Sequence, residues 1–161
     1  MMLPACVLLS VGCHYDFAVT DDPGEVLAAE LAGRWVKAGE LKPDEFRQVM
    51  VVFPANDGGG VIGLQVKEDE HWLFRVSSLG KDHPGLHQLE FLGSTTGQRP
   101  EEKRFTVVRA EVKEGTLEWS LVDPGKVGKV KDATELLGRL GDRGVFGEVQ
   151  AFRAAAAVKE E

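Results

Sequence analysis

The chain has 161 residues and a formal net charge of −7, with 43% hydrophobic and 28% charged residues. This length suits one domain with a sizeable core, and the acidic balance argues against nucleic acid, whose phosphates select clusters of Lys and Arg. The two cysteines, Cys6 and Cys13, both lie near the N-terminus. The rest of the chain therefore has no thiol for a disulfide, a thiolate zinc site or a nucleophile.

The first feature in chain order is an apolar, uncharged run over residues 3–12 that ends in small residues before Cys13. Such a run is typical of an export signal, and a Cys directly after it is typical of a bacterial lipoprotein signal, although Ser10 stands where Leu is usual. We therefore predict that residues 1–12 are removed and that Cys13 becomes the lipidated N-terminus. The run is about half the roughly 20 residues that a transmembrane helix needs.

This prediction places the protein in the bacterial cell envelope, held to the membrane by lipid on Cys13 and facing the periplasm or the exterior. The alternative interpretation of the same residues is an ordinary buried N-terminal strand in which the Gly12-Cys13 pair arises by chance.

Residues 13–24 are polar and rich in turn formers, which predicts a tether. Residues 25–33 predict a short helix that ends at Gly33. Alternating apolar residues then predict strands over 34–38, 46–53, 61–66, 71–77, 86–92, 104–112, 116–122 and 145–153. Asp132, followed by Glu135 three residues later, predicts the start of a late helix, and residues 154–161 form a tail without evident structure.

These elements predict a single β-rich domain over residues 25–153. The fold class is mainly β, an antiparallel barrel or strongly curled sheet of seven to eight strands with one late α-helix over an open end or an edge. Because a closed sheet leaves few exposed edges, we expect a monomer.

Three stretches resemble a group of small, uncharacterised bacterial lipoproteins. The mature chains of that group begin Cys-x-Tyr-Asp, as at Cys13, and soon reach Leu-x-Gly-x-Trp, which is Leu31-Ala-Gly33-Arg-Trp35 in this chain. The residues from Asp132 to the last strand are also similar, whereas Ala18 stands where Pro is usual. The resemblance implies anchoring and architecture, and it implies no activity.

The pair Gly33-x-Trp35 also resembles the first-strand signature of lipocalins. That resemblance implies that Trp35 plugs the closed end of a barrel and that Arg153, after the last strand, packs across it by a cation–π contact. We expect Gly33, Trp35 and Arg153 to be structural residues. A barrel of similar build without common ancestry is the alternative.

Four residues between 71 and 87 are types that bind zinc or nickel, namely His71, Asp82, His83 and His87. Their spacing fits no dedicated motif, so we interpret them as solvated loop residues and predict no metal and no other cofactor.

Glu90, Glu111 and Glu118 could act as a carboxylate pair if two of them faced the barrel interior. Residues of this type on half-exposed strands more often face outward, so we predict no catalytic residue.

The predicted function is therefore that of a lipid-anchored envelope lipoprotein with a binding or interaction β-domain. Its ligand would be an apolar small molecule inside the barrel or another envelope protein. The alternative is a hydrolase that uses carboxylates inside the barrel. Whether the interior is filled or hollow separates these possibilities.

Overall fold

A computed structural model describes residues 15–20, 29–41, 43, 46–56, 58–97 and 104–155. These residues form eight strands: β1 (Gly33–Lys37), β2 (Val49–Pro54), β3 (Gly60–Lys67), β4 (Glu70–Ser78), β5 (Leu86–Ser94), β6 (Phe105–Lys113), β7 (Thr116–Leu121) and β8 (Gln150–Ala154). Consecutive strands pair antiparallel, and β8 pairs with β1, so the sheet closes into a barrel. The predicted fold class is confirmed. Cys13, the signal segment and residues 156–161 lie outside the described residues.

The hairpin of β6 and β7 shows how the sequence produces the barrel wall. Alternation puts the apolar partners Ala110 and Trp119 opposite each other on the inner face, with Val112 opposite Leu117 one step further. The turn between the strands has positive φ at Glu114 (52°) and Gly115 (77°). Two such residues give a tight turn whose twist matches that of the strands it joins.

Strand β2 begins three residues later than the sequence predicts, at Val49 rather than Phe46. The reason is Arg47, whose Nη1 donates to the carbonyl oxygens of Lys37 at 2.7 Å and Gly39 at 3.2 Å. These bonds satisfy acceptors of the β1–β2 connection and keep residues 46–48 in the loop.

Strand β8 also begins later than predicted, at Gln150 rather than Val145. Asp142 Oδ1 accepts a 2.8 Å bond from the Gly144 amide and thereby caps a 3₁₀ turn over Arg143–Val145. The apolar residues at the end of this turn pack against the outside of the barrel instead of entering the sheet.

Two helices, α1 (Pro124–Val127) and α2 (Ala133–Arg139), connect β7 to the 3₁₀ turn. The predicted cap of α2 is confirmed, because Asp132 Oδ1 accepts a 2.9 Å bond from the Glu135 amide. Its expected position over an open end or an edge is wrong. Leu136 and Leu140 pack against outward-facing residues of β5 and β6, so the helix covers the outer wall. Among the described helices, none is long and apolar enough to cross a membrane.

Residues 15–20, which the sequence predicts to be part of a free tether, lie against the barrel wall. Tyr15 and Phe105 exchange both backbone hydrogen bonds at 3.1 Å. The Gln88 side chain accepts from the amides of Val19 at 2.6 Å and Thr20 at 3.0 Å, and its Nε2 donates to the Thr20 carbonyl at 3.2 Å. We call residues 15–20 the N-terminal strap.

Candidate functional site

The barrel interior is filled by side chains. Every strand contributes inward apolar residues to one continuous core, which includes Trp35, Met50, Ile62, Phe74, Leu89, Val108, Leu117 and Phe152. Among these side chains lies a cavity of about 10 Å³, near Leu31, His87 and Ala110. Pockets for drug-sized ligands typically measure about 300–1,000 Å³. The cavity that these described residues enclose is therefore too small for an apolar ligand.

A 3₁₀ turn over Ala29–Leu31, the closing segment, lies at the end of the barrel beside this cavity. Of the helix predicted at 25–33, residues 25–28 lie outside the described residues, and Gly33 belongs to β1. Trp35 is 4% exposed, and its Nε1 donates a 3.0 Å bond to the carbonyl of Leu31. Gly33 adopts a φ of +128°, a conformation that L side chains rarely take, and so turns the chain from the closing segment into β1. Trp35 thus ties the closing segment to the core.

Arg153 does not pack across Trp35 as the lipocalin resemblance implies. Within the β1–β8 ladder it pairs with Val36, and it is Ala154 that pairs with Trp35. Arg153 is exposed, so its side chain projects from the outer face while the indole projects inward. Strands β1 and β8 pair as expected, but successive residues of a strand face opposite sides of the sheet. Arg153, which pairs with Val36, therefore lies on the face opposite to that of Trp35.

His87 is a buried titratable group beside this cavity, 7% exposed and paired with Ser78 across β4 and β5. Burial lowers the pKa of its imidazole, and a bond to the Gly85 backbone opposes this only in part. Its Nδ1 has no partner among the described residues. A neutral imidazole therefore sits beside the small cavity, and the prediction of a solvated loop histidine is wrong for this residue.

The other three candidate metal ligands lie away from His87. His71 lies exposed near the opposite end of β4, and Asp82 and His83 lie in the loop between β4 and β5. Within the ranges that the structure describes, no three His, Cys, Asp or Glu residues come together as a metal site.

The three candidate carboxylates all project from the outer wall. Glu90 lies 3.3 Å from Arg104 Nε. Glu111 and Glu118 face each other across β6 and β7, and Lys113 Nζ lies 3.3 Å from one and 3.2 Å from the other. None of these three supplies an interior acid or base, so they do not form the interior carboxylate pair that the sequence analysis considered.

A carboxylate that the sequence analysis missed sits near the opposite end of the barrel. Glu70, 6% exposed, accepts from Trp72 Nε1 at 3.0 Å and from Thr96 Oγ1 at 2.8 Å. Bonds from Thr96 and Trp72 hold the pKa of this carboxyl below its usual value. Because both oxygens have partners, with Lys67 Nζ 3.7 Å from the second, the group acts as a tie between strands.

The outer wall carries a depression that is larger than the interior cavity. It lies where β6, β7 and residues 143–149 meet. This outer cleft has a volume of about 140 Å³ and is lined by Arg109, Glu111, Lys113, Glu118, Ser120, Arg143, Phe146, Gly147 and Val149. Bonds from Glu118 and Glu111 raise the pKa of Lys113. The lining carries three cationic and two anionic side chains, a positive excess in a chain whose net charge is −7.

Arg109 forms the floor of the outer cleft. Its guanidinium carbon lies 4.6 Å from the centre of the Phe146 ring, a cation–π arrangement. Phe146 is held there because it bridges to Val122 and because the Gly147 amide donates to the Leu121 carbonyl at 2.8 Å. The backbone thus fixes the aromatic surface on which Arg109 rests.

Only part of the outer cleft is visible as a pattern in the sequence. Arg109, Glu111 and Lys113 alternate along β6, which indicates one polar face. Arg143 and Phe146 reach the same place through the 3₁₀ turn, and no spacing in the chain indicates that approach.

The outer wall on β2 to β4 is different, because neither the strap nor the helices pack on it. Phe53 is 59% exposed and Leu73 is 40% exposed. Leu73 pairs with Gly63 of β3, where an added Cβ would meet only Leu73 within 4 Å, and Phe53 pairs with Val61, two residues before Gly63 on the same strand. Exposed apolar side chains grouped on a sheet face are typical of surfaces that contact other macromolecules.

No protein family, curated protein or solved structure was found to match the chain.

Proposed function

We propose that the protein is a lipid-anchored envelope lipoprotein whose barrel is an interaction domain that binds another envelope protein through its outer surface. The observation that carries the binding part is the filled interior, with a cavity of about 10 Å³. A barrel without room for a ligand must recognise its partner from outside.

The closed sheet further restricts how a partner can bind. Because every strand from β1 to β8 has a neighbour on both sides, a partner cannot add a strand at a free edge. It has to contact outward side chains, and the wall offers both the outer cleft and the exposed apolar residues around Gly63.

The anchor is proposed from the sequence, where an apolar run ends in Ser10-Val-Gly12 directly before Cys13. A single acyl chain gives marginal attachment, and two or more give stable attachment. A lipoprotein-type modification of Cys13 supplies more than one chain.

Fractionation of bacteria that express the full chain tests the anchor. The wild-type protein should partition with membranes, and mass spectrometry should find acyl groups on Cys13. Cys13→Ser should release the protein, whereas Cys6→Ser, the matched control within the signal, should leave it attached. A mature protein that retains Met1, or a Cys13→Ser protein that stays with membranes, contradicts the proposal.

Titration with a dansylated fatty acid tests the binding mode. We expect no saturable fluorescence change, because the interior is filled. Trp119→Phe and Ala110→Leu change side chains inside the barrel. Saturable binding that either variant alters would show that the protein is a ligand carrier.

A further inference from the structure

We propose that the outer cleft is a binding site for an oxyanion, a carboxylate or phosphate group presented by the partner. This proposal rests on the outer-surface part of the proposed function and is independent of the lipid on Cys13.

The hydrogen bonding of Arg109 is incomplete. Its side chain is 18% exposed, and its Nε is buried without a partner among the described residues. The nearest carboxylate contact, from Nη1 to Glu111 Oε1, is 3.9 Å, longer than a charge-assisted hydrogen bond of about 2.7–2.9 Å. The guanidinium stays charged and keeps its donors, and the side chain lines the cleft, so an oxyanion there would accept from its terminal amino groups while Nε stays buried.

The two carboxylates that line the outer cleft have their shortest contacts with Lys113. Lys113 lies within 3.3 Å of both carboxylates and so occupies one oxygen of each, Glu111 Oε2 and Glu118 Oε2. Arg143, 75% exposed, approaches Glu111 Oε1 only to 4.0 Å. Among the residues that the structure describes, these two guanidinium groups line the cleft with no carboxylate oxygen closer than 3.9 Å. Arginine is the residue best suited to bind planar carboxylates and phosphates with two parallel bonds.

The size of the outer cleft also suits a small charged group. Its volume of about 140 Å³ corresponds to about five waters at roughly 30 Å³ each. That space suits one small charged group on a larger partner and is below the size of a drug-like ligand. The Phe146 ring beneath Arg109 restricts the guanidinium, so less side-chain freedom is lost on binding.

A purely structural role for Arg109, stacked on Phe146, is the competing interpretation. It predicts a loss of stability on substitution and no anion binding. The two interpretations differ at Arg143, which is exposed and makes no ring contact that would stabilise the fold.

Nuclear magnetic resonance of the ¹⁵N-labelled full chain distinguishes them. Inorganic phosphate and acetate are titrated separately at constant ionic strength set with chloride, and the Arg109 Nε–H and the Gly147 amide are followed. We expect saturable shifts with a dissociation constant on the order of 1 mM. Arg109→Gln and Arg143→Gln should each weaken binding at least about tenfold, whereas Arg75→Gln, an exposed arginine on β4, should leave it unchanged.

Tighter binding of phosphate than of acetate indicates a partner that presents a phosphoryl group, and the reverse indicates a carboxylate. Shifts that do not saturate, or that persist unchanged in folded Arg143→Gln protein, overturn the site. If Cys13 is acylated and neither anion binds, only the chemistry of the cleft is wrong. If the anions bind and Cys13 is not acylated, only the anchor is wrong.

Discussion

Replacement of Trp35 tests whether the closed end of the barrel supports the fold. The indole is 4% exposed, packs among core residues and donates a 3.0 Å bond to the Leu31 carbonyl. Removing a buried Trp typically costs about 3–5 kcal/mol, a large part of the 5–15 kcal/mol by which domains are usually stable. Trp35→Phe keeps a ring but leaves the Leu31 carbonyl without its donor, which costs about 1–3 kcal/mol.

Arg153 is the matched comparison, since it lies one residue away in the same ladder but on the exposed face. Arg153→Ala should change stability by no more than about 0.5 kcal/mol. Urea unfolding followed by far-ultraviolet circular dichroism avoids dependence on the removed fluorophore. With a slope of about 2 kcal/mol per molar urea, Trp35→Ala should lower the midpoint by about 2 M. Equal losses in Trp35→Ala and Arg153→Ala would refute this description of the closed end.

Two further predictions concern polar residues on β5. Burial lowers the pKa of His87 below the 6.5 of a free imidazole, so the stability it contributes is complete above that pH and is lost as pH falls through it. His87→Asn should therefore flatten the fall in unfolding free energy as pH decreases below about 6.5, whereas exposed His71→Asn should keep it. An unchanged slope in His87→Asn contradicts the assignment. Gln88→Ala removes three bonds to the strap and should cost about 1–3 kcal/mol while speeding amide exchange at Val19 and Thr20. Gln65→Ala, which loses one bond within a turn, should leave that exchange slow, and equal exchange in both variants would show that the strap is held by something else.

The strands could be predicted because the local sequence determines them. Alternation along β6 and β7 and the turn at Glu114 and Gly115 are short-range features, and all eight predicted strands are found with shifted ends. The two starts that shifted by three or more residues, those of β2 and β8, lie next to a side chain that bonds to the backbone, Arg47 and Asp142 respectively. Such bonds depend on which loop lies nearby, and that is decided only once the barrel has closed.

The strap and the outer cleft could not be predicted because both depend on distant residues. Gln88 holds the strap from 68 and 69 positions away. Arg143 joins Arg109 only after the chain has passed through two helices. The expectation for Arg153 failed for a related reason, since register decides which face a residue occupies and composition does not specify it.

The position of the strap determines how far the barrel could stand from a bilayer. Tyr15 is fixed to the first residue of β6, so Cys13 is separated from the folded body by at most about 7 Å of extended chain. The outer cleft lies towards the other end of the same strand, about 20 Å further along it at 3.3 Å per residue. A lipid on Cys13 would thus give the barrel a membrane-proximal end and a membrane-distal end. Arg109 would lie near the middle of the wall, about 13 Å beyond Phe105, and Lys113 near the distal end, about 26 Å beyond it. The cleft would therefore be outside the layer of headgroups and accessible to proteins in the surrounding compartment.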